Sequence, residues 1–359
     1  MRVVLAGGGT GGHVYPALAM GDALKSRGHE LFYVGDAGRL EGRVAPQRGY
    51  DFRPIRAPKY PRGGLIGKVG FAFSLLGSIV EARGLLKELR ADLVLGVGGY
   101  ISAPTVLAAW TMGIPRIIHE ANVAPGLANR LCARVANLAM LTYEASGPRL
   151  GGPAPKKTVG CPVNPKVLVG DRAEARADYG LREDLPVLMV VGGSLGAATI
   201  NAVALAAARM QNRPWQLLWI TGPRYHADAL RDLGEIPEGV ALVDYEDRMG
   251  RAYAAADLVV ARAGSSTLAE LTALGKPALL IPSPNVTDNH QEMNARGLEE
   301  LGAAWVVVEA GLDIPAVLDR ITSLLGDAAA LEAMAEASKA QGRLDVANDV
   351  ADLVEGFTR

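Results

Sequence analysis

The chain has 359 residues, 49% of them hydrophobic and 5% aromatic, with 43 glycines and a formal net charge of −1. This length predicts two domains, each large enough for its own core, and the composition excludes a disordered or fibrous chain. No overall basic excess points to nucleic acid as a partner, but residues 1–163 carry 20 Lys and Arg against 10 Asp and Glu while residues 164–359 carry 17 against 28, so the first half suits an anionic surface or ligand.

Cys132 and Cys161 show neither metal-ligand spacing nor a disulfide framework, which suits a reducing compartment. The apolar run at the N-terminus is too short for a signal peptide and leads directly into glycines. Arg2 to Ala6 reads as a strand, Gly7 to His13 as a glycine turn, and Pro16 to Arg27 as a helix stopped by Gly28. Further strands are predicted at Leu31–Val34, Asp92–Gly96, Arg116–His119 and Leu138–Thr142, with helical patterns between most of them. The pattern restarts with a strand at Pro186–Val191, a second glycine turn at Gly192–Gly196 and a helix at Ala197–Met210. Strands at Trp215–Ile220, Val240–Val243, Asp257–Ala261, Pro277–Ile281 and Ala304–Val308 follow, and helices at Ile314–Gly326, Ala328–Ala340 and Val346–Phe357 close the chain. The fold class is therefore α/β, two doubly wound parallel-sheet domains: residues 1–163, residues 164–340, and a terminal segment 341–359 that braces the first domain.

Between the second and third of these strands, Arg53, Arg56, Lys59, Arg62 and Lys68 precede or punctuate the apolar run Gly64–Val80 with no acidic residue among them. The run is shorter than the roughly 20 residues a spanning helix needs, so it is either a core helix or one that lies on a membrane. Lys59, Arg62, Lys68, Leu65 and Ile66 are the residues assigned to an anionic membrane surface.

Chemistry concentrates in Ala261 to Gln291, a strand, a tight turn at Arg262–Gly264, a helix opening at Ser265-Ser266-Thr267, a strand and a polar loop. Backbone N–H groups at such a turn converge on an anion, and the helix end adds partial positive charge. Glu270 in the first helical turn can accept hydrogen bonds from two adjacent sugar hydroxyls, which suggests a nucleotide-sugar site; the alternative is a capping box formed by Thr267 and Glu270. Gly7, Gly9 and Gly12 match G-x-G-x-x-G, with Asp36 placed where a dinucleotide enzyme holds its ribose, so a dehydrogenase is a rival. His13 at the same turn is a candidate general base or a ligand contact. His119-Glu120-Ala121-Asn122 and Gly96–Tyr100 end two strands of the same sheet, and Tyr100 and Glu120 are assigned to a sugar and acceptor cleft.

The ordered segments GGGTGGHVYPALA, GVGGYISAP, HEANVAPGLANR, GCPV, GGSLGAATIN, ARAGSSTLAEL and DNHQEMNA resemble the bacterial MurG family, the peptidoglycan N-acetylglucosaminyltransferases that move GlcNAc from UDP-GlcNAc to lipid I, giving lipid II. The resemblance spans nearly the whole chain and implies the GT-B fold, with acceptor lipid on the first domain and UDP-GlcNAc mainly on the second. It implies that Thr10, Gly11 and Gly12 lie near the transferred sugar and diphosphate and that Asn122 contacts the sugar. By the same resemblance Ser194 meets the phosphate region, while Ser265, Ser266, Thr267, Leu268 and Ala269 hold phosphate and ribose. Glu270 would bind the ribose hydroxyls, Gln291 the sugar, and the backbone around Glu246 uracil. Asn164 stands in the linker where the family often shows an arginine, and His290 replaces one of a glutamine pair. The implied enzyme is an inverting transferase peripheral to the cytoplasmic face of the cell membrane, working beside other cell-wall enzymes. With no Asp-x-Asp or His/Cys cluster, neither metal nor cofactor is expected. The alternatives are a UDP-sugar epimerase of similar architecture and a non-catalytic lipid-binding or partner-binding member.

Overall fold

The computed structural model describes residues 1–58 and 65–358, with the backbone alone described at residues 65–69, 287 and 358. It contains two compact units, Met1–Val163 together with Leu344–Arg359, and Asn164–Arg343.

The first unit is built on seven parallel strands, β1 (Arg2–Ala6), β2 (Glu30–Gly35), β3 (Asp51–Pro54), β4 (Leu93–Gly96), β5 (Arg116–Glu120), β6 (Leu138–Leu141) and β7 (Lys156–Thr158), in the order β3-β2-β1-β4-β5-β6-β7. Val3 pairs with Leu31 on one side and Leu93 on the other, so the chain reverses direction across the sheet between β1 and β4. The central strands are continuous apolar runs because helices cover both faces. One face packs Leu5, Tyr33 and Leu95 on α1 (Gly11–Ser26), the other packs Val4, Phe32 and Ile118 against α3 (Leu65–Glu88) and α4 (Ser102–Thr111). A short helix, α2 (Leu40–Gln47), follows β2.

Helix α1 starts at Gly11, five residues before the sequence signal at Pro16. Pro16 is thus an interior proline; it has no N–H to give the Gly12 carbonyl, and the glycines ahead of it adopt helical backbone without a good intrinsic propensity. The sequence pattern also misses β3, β7 and α2.

Helix α3 differs from a simple core helix. Ala82, Leu86 and Leu89 at its end and beyond are buried, whereas Phe73 is 71% exposed, Leu76 58% and Val80 69%. Arg53, read as part of a basic segment, is paired with Asp51 and Glu88 at 2.7 and 2.9 Å and leaves that segment one free cation fewer. Lys59 and Arg62 lie outside the described residues, and the side chains of Leu65, Ile66 and Lys68 do as well.

The second unit has six parallel strands, β8 (Val187–Val191), β9 (Gln216–Ile220), β10 (Val240–Val243), β11 (Leu258–Ala261), β12 (Ala278–Leu280) and β13 (Ala304–Val306), ordered β10-β9-β8-β11-β12-β13. Its reversal lies between β8 and β11, and Leu188, Val190, Trp219, Leu258 and Ile321 form its core.

The last helix, Val346–Glu355, packs on α1 of the first unit. Val346, Val350 and Val354 are buried, while Arg27 reaches Asp352 and Glu355 at 2.5 and 3.3 Å and His29 lies 2.9 Å from Glu355. Val354→Ala removes buried methyl groups and is expected to destabilise this docking by about 2 kcal/mol. Faster hydrogen exchange in α1 checks this, and an unchanged rate there would show that the helix contributes nothing to the first unit.

Candidate functional site

In open parallel sheets ligands bind beyond the carboxyl ends of the strands, where the strand order reverses. The predicted residues fall at those ends in both units.

In the first unit the loop after β1 and the loop after β4 pass in contact. A Cβ on Gly7 would lie 2.2 Å from the Val97 side chain, and one on Gly99 only 2.3 Å from the Gly8 carbonyl oxygen. His13, in the first turn of α1, stands where a Gly98 side chain would be, 2.7 Å from that Cβ position. Its Nδ1 and the Thr10 hydroxyl are 3.0 Å apart, which explains why Thr10 makes no cap bond to the helix it precedes. Thr10, Gly11, Gly12 and His13 thus share one helix start, with Tyr100 close by.

Several predicted roles change in detail. Tyr100 gives its hydroxyl to Asp36 Oδ2 at 2.8 Å, and Asp36 Oδ1 accepts the Gly38 N–H. Burial and this bond together push the Tyr100 phenol up to about 12, so it is a neutral donor. Asp36 is therefore engaged within the protein, which removes the ribose anchor on which the dehydrogenase reading relied. Glu120 was expected to offer its carboxylate to sugar hydroxyls, and this is corrected. It is 1% exposed, and its oxygens accept the Asn122 N–H at 2.9 Å, the Asn129 amide at 2.8 Å and the Gly126 N–H at 3.3 Å. Burial raises its affinity for a proton while these donors oppose the shift. Glu120 shapes the loop that carries Asn122. His119 is buried, donates from Nε2 to the Gly160 carbonyl at 2.9 Å, and burial holds it neutral.

In the second unit the helix Ser265–Leu274 opens after β11 with Gly264 as its N-cap, no acidic residue in its first turn and no side-chain cap bond. Its first N–H groups, which as in any helix have no intrahelical acceptor, therefore have no capping side chain either. Thr267 lies inside this helix and Glu270 is bonded elsewhere, so the capping-box alternative is excluded. Glu270 Oε2 accepts the hydroxyl of the buried Tyr253 at 2.8 Å. Burial raises the Glu270 carboxyl to about 7, with the Tyr253 bond acting in the opposite direction. Leu268 is buried in the core, so it and Ala269 offer the site backbone only.

Ser194 lies in the turn after β8, where a Cβ on Gly196 would sit 2.2 Å from the Thr221 carbonyl oxygen. Glu246 is buried, with Tyr179, Arg251 and the Arg248 N–H as donors at 2.5, 2.8 and 2.7 Å. Burial favours its neutral form, but these bonds outweigh that effect and hold it ionised. Its side chain is committed, which leaves the backbone of that loop for a ligand. Gln291 accepts the Ser283 N–H through Oε1 at 2.9 Å, so Nε2 is its remaining donor group. Asn164 Oδ1 caps a 3-10 turn by accepting the Lys166 N–H at 3.1 Å.

Sequence reasoning missed four residues that organise these loops. They are Glu41 beneath the first glycine turn, Tyr253 behind Glu270, Arg262 and Glu309. Arg262 donates to the Ile281 and Pro282 carbonyls and to Glu309, whose other oxygen accepts the Thr199 hydroxyl at 2.7 Å. The ends of β11, β12 and β13 and the start of the helix Ala198–Arg209 are joined by that one bridge. Apart from Arg262, which sits in the turn after β11, none of these residues belongs to a local motif, and their partners lie 5 to 110 positions away.

Family models match the chain over residues 3–141, as the glycosyltransferase family 28 N-terminal domain, and over residues 187–350, as the C-terminal domain of the same family. The chain is 38% identical to the UDP-N-acetylglucosamine–N-acetylmuramyl-(pentapeptide) pyrophosphoryl-undecaprenol N-acetylglucosamine transferase of Halothermothrix orenii, covering 99% of this chain and 98% of that one. The Salinibacter ruber protein of the same name is 40% identical, covering 98% and 95%. The chain belongs to the MurG family. A crystal structure of Acinetobacter baumannii MurG matches with a TM-score of 0.78 at 27% identity, covering 99% of each chain. The fold is accordingly GT-B, and the epimerase alternative is not favoured by full-length relatives that carry the transferase name.

The ribose contact expected of Glu270 favours its ionised form, so affinity for UDP-GlcNAc is expected to fall several-fold between pH 8 and pH 6 as a carboxyl of about 7 gains its proton. Tyr253→Phe removes a bond that favours the anion and should move the midpoint to higher pH. Calorimetric titration of UDP-GlcNAc at several pH values checks both, and a flat profile would mean that Glu270 does not hold the ligand.

Proposed function

We propose that the chain transfers GlcNAc from UDP-GlcNAc to an undecaprenyl-pyrophosphate-linked N-acetylmuramyl-pentapeptide, giving lipid II for peptidoglycan synthesis. The observation that carries this reading at the site is the helix start Ser265–Glu270. An uncapped, acid-free N-terminus is followed within two turns by a carboxylate with one oxygen held by Tyr253, a pairing suited to diphosphate and ribose together. Residues 164–343 take the donor, with Ser194, Ser265, Ser266 and Thr267 on the diphosphate, Glu270 on the ribose, the Glu246 backbone on uracil and Gln291 on the sugar. Residues 1–163 take the acceptor; Thr10, Gly11 and Gly12 of this part go near the transferred sugar and diphosphate, and Asn122 on the transferred sugar.

Transfer is a single inverting displacement. The acceptor hydroxyl attacks the anomeric carbon, the bond to the UDP oxygen breaks, and His13 takes the hydroxyl proton. Charge developing on UDP is stabilised by the N-terminus of helix 265–274 and by glycine-turn amides, the role a metal ion fills in other transferases.

The acceptor's lipid cannot leave a bilayer, so the enzyme must come to the surface. Among the described residues no helix is long and apolar enough to cross a membrane. The exposed Phe73, Leu76 and Val80 of α3 suit the lipid interface, and the basic excess of the first half suits an anionic leaflet on the side where UDP-sugars are made. Other cell-wall enzymes are further candidate partners at that surface.

UDP release from UDP-GlcNAc should require a lipid I analogue and be insensitive to chelators. Glu270→Ala, which deletes two bonds to a charged group, should lower kcat/KM roughly 100-fold or more. Release without acceptor would contradict the transferase reading, and loss on chelation restored by magnesium would contradict the electrostatic mechanism. Separately, Phe73→Ser with Leu76→Ser should reduce sedimentation with vesicles containing acidic phospholipid while leaving turnover of a water-soluble acceptor analogue intact. Undiminished vesicle binding would remove α3 from the membrane-facing surface.

A further inference from the structure

Glu41 is the second residue of α2, and it is completely buried. Its donors are backbone amides. The Gly9 N–H reaches both carboxylate oxygens at 3.2 and 3.0 Å, and the Asp36 N–H reaches Oε1 at 3.3 Å. A carboxylate held in the interior by amides alone is a costly choice compared with an apolar side chain of the same size. Part of that cost is offset because the carboxylate lies at two positive helix ends, in the first turn of α2 and beside the residue that precedes the N-cap of α1.

The space around Glu41 is shaped for it. A Cβ on Gly8 would fall 2.0 Å from Oε1, and one on Gly35 would fall 2.6 Å from Cγ. Gly8 is pressed on its other side by the loop after β4, through the close approach of Gly99 to its carbonyl. Asp36, whose amide Glu41 holds, in turn receives the Tyr100 hydroxyl. One buried carboxylate thereby fixes the ends of β1, β2 and, through Tyr100, β4.

We propose that Glu41 is a positioning residue for the acceptor: a built-in anion that locks the first glycine turn and sets where Thr10 and His13 stand. Because Glu41 already occupies the Gly9 amide, an incoming diphosphate is directed to the α1 side of the turn, away from the hollow under the glycines. This rests on the reading of residues 1–163 as the acceptor unit.

The test is Glu41→Gln, which keeps the shape but sets an amide N–H against the Gly9 N–H, with Gly8→Ala as an independent variant that displaces the carboxylate without removing it. A turn shifted by about 1 Å should lower kcat/KM for a lipid I analogue roughly 10- to 100-fold. The Kd of UMP, whose uracil and ribose contacts are assigned to residues 164–343, should stay within about twofold, and hydrogen exchange should accelerate in the peptide covering residues 6–14. Acceptor kinetics unchanged in either folded variant would overturn the proposal, as would a parallel loss of UMP binding. Failure of both variants to fold would also overturn it, because Glu41 would then be accounted for by stability alone. If instead the unmodified protein shows no acceptor-dependent UDP release, the transferase reading fails, while exchange at residues 6–14 still reports on the Glu41 lock.

Discussion

Both units depend on how closely two backbones can pass beyond the ends of their central strands. In the first, the Gly8 carbonyl and Gly99 leave no room for a side chain, and in the second Gly196 and Gly222 meet so tightly that a Cβ on Gly222 would lie 2.3 Å from the Gly196 nitrogen. Gly99, Gly196 and Gly222 also have positive φ, which glycine adopts without strain. These contacts bring main-chain N–H groups and short polar side chains to one place. Larger residues there would separate the loops and disperse the groups that a diphosphate needs.

The polar residues that surround those contacts are largely internal. Glu41, Glu120, Glu246 and Glu309 each direct their oxygens at neighbouring amides, hydroxyls or guanidinium groups of the same chain. An acidic residue near an anion-binding loop is unfavourable as a ligand contact, since it repels phosphate, but it is well suited to holding loop amides from behind. Charge on the protein side of the loop then leaves the ligand side to N–H groups, hydroxyls and helix ends. The exception is Glu270, which gives one oxygen to Tyr253, an arrangement that suits its proposed contact with neutral sugar hydroxyls.

What the sequence made legible follows from burial. Central strands such as Val187–Val191 and Leu93–Gly96 are covered on both faces and read as unbroken apolar runs, so the doubly wound class and both glycine turns could be placed directly. The edge strands Asp51–Pro54 and Lys156–Thr158 are largely exposed and polar, and no periodicity marks them. The start of α1 was hidden because Pro16 is a common first-turn residue and here lies five residues inside. The residues proposed to touch a ligand sit in recognisable turns, whereas Glu41, Tyr253 and Glu309 act on loops distant in sequence. Their roles depend on which strand ends the topology brings together.

Charge shows how topology revises a linear reading. Cut at Val163, the first half has an excess of ten positive charges, but the segment 344–359 returns to that unit with Asp345, Asp349, Asp352 and Glu355 against Arg359. The first unit is therefore less basic than its linear half. These carboxylates are not spread evenly: Asp352 and Glu355 meet Arg27 and His29 just beyond the C-terminal end of α1. At 1.5 Å per residue, the 16 residues of α1 set that end about 24 Å from the glycine turn. That distance is more than twice the screening length at physiological salt, so the neutralisation stays local. The excess of positive charge that remains in the unit is therefore carried by residues outside the last helix.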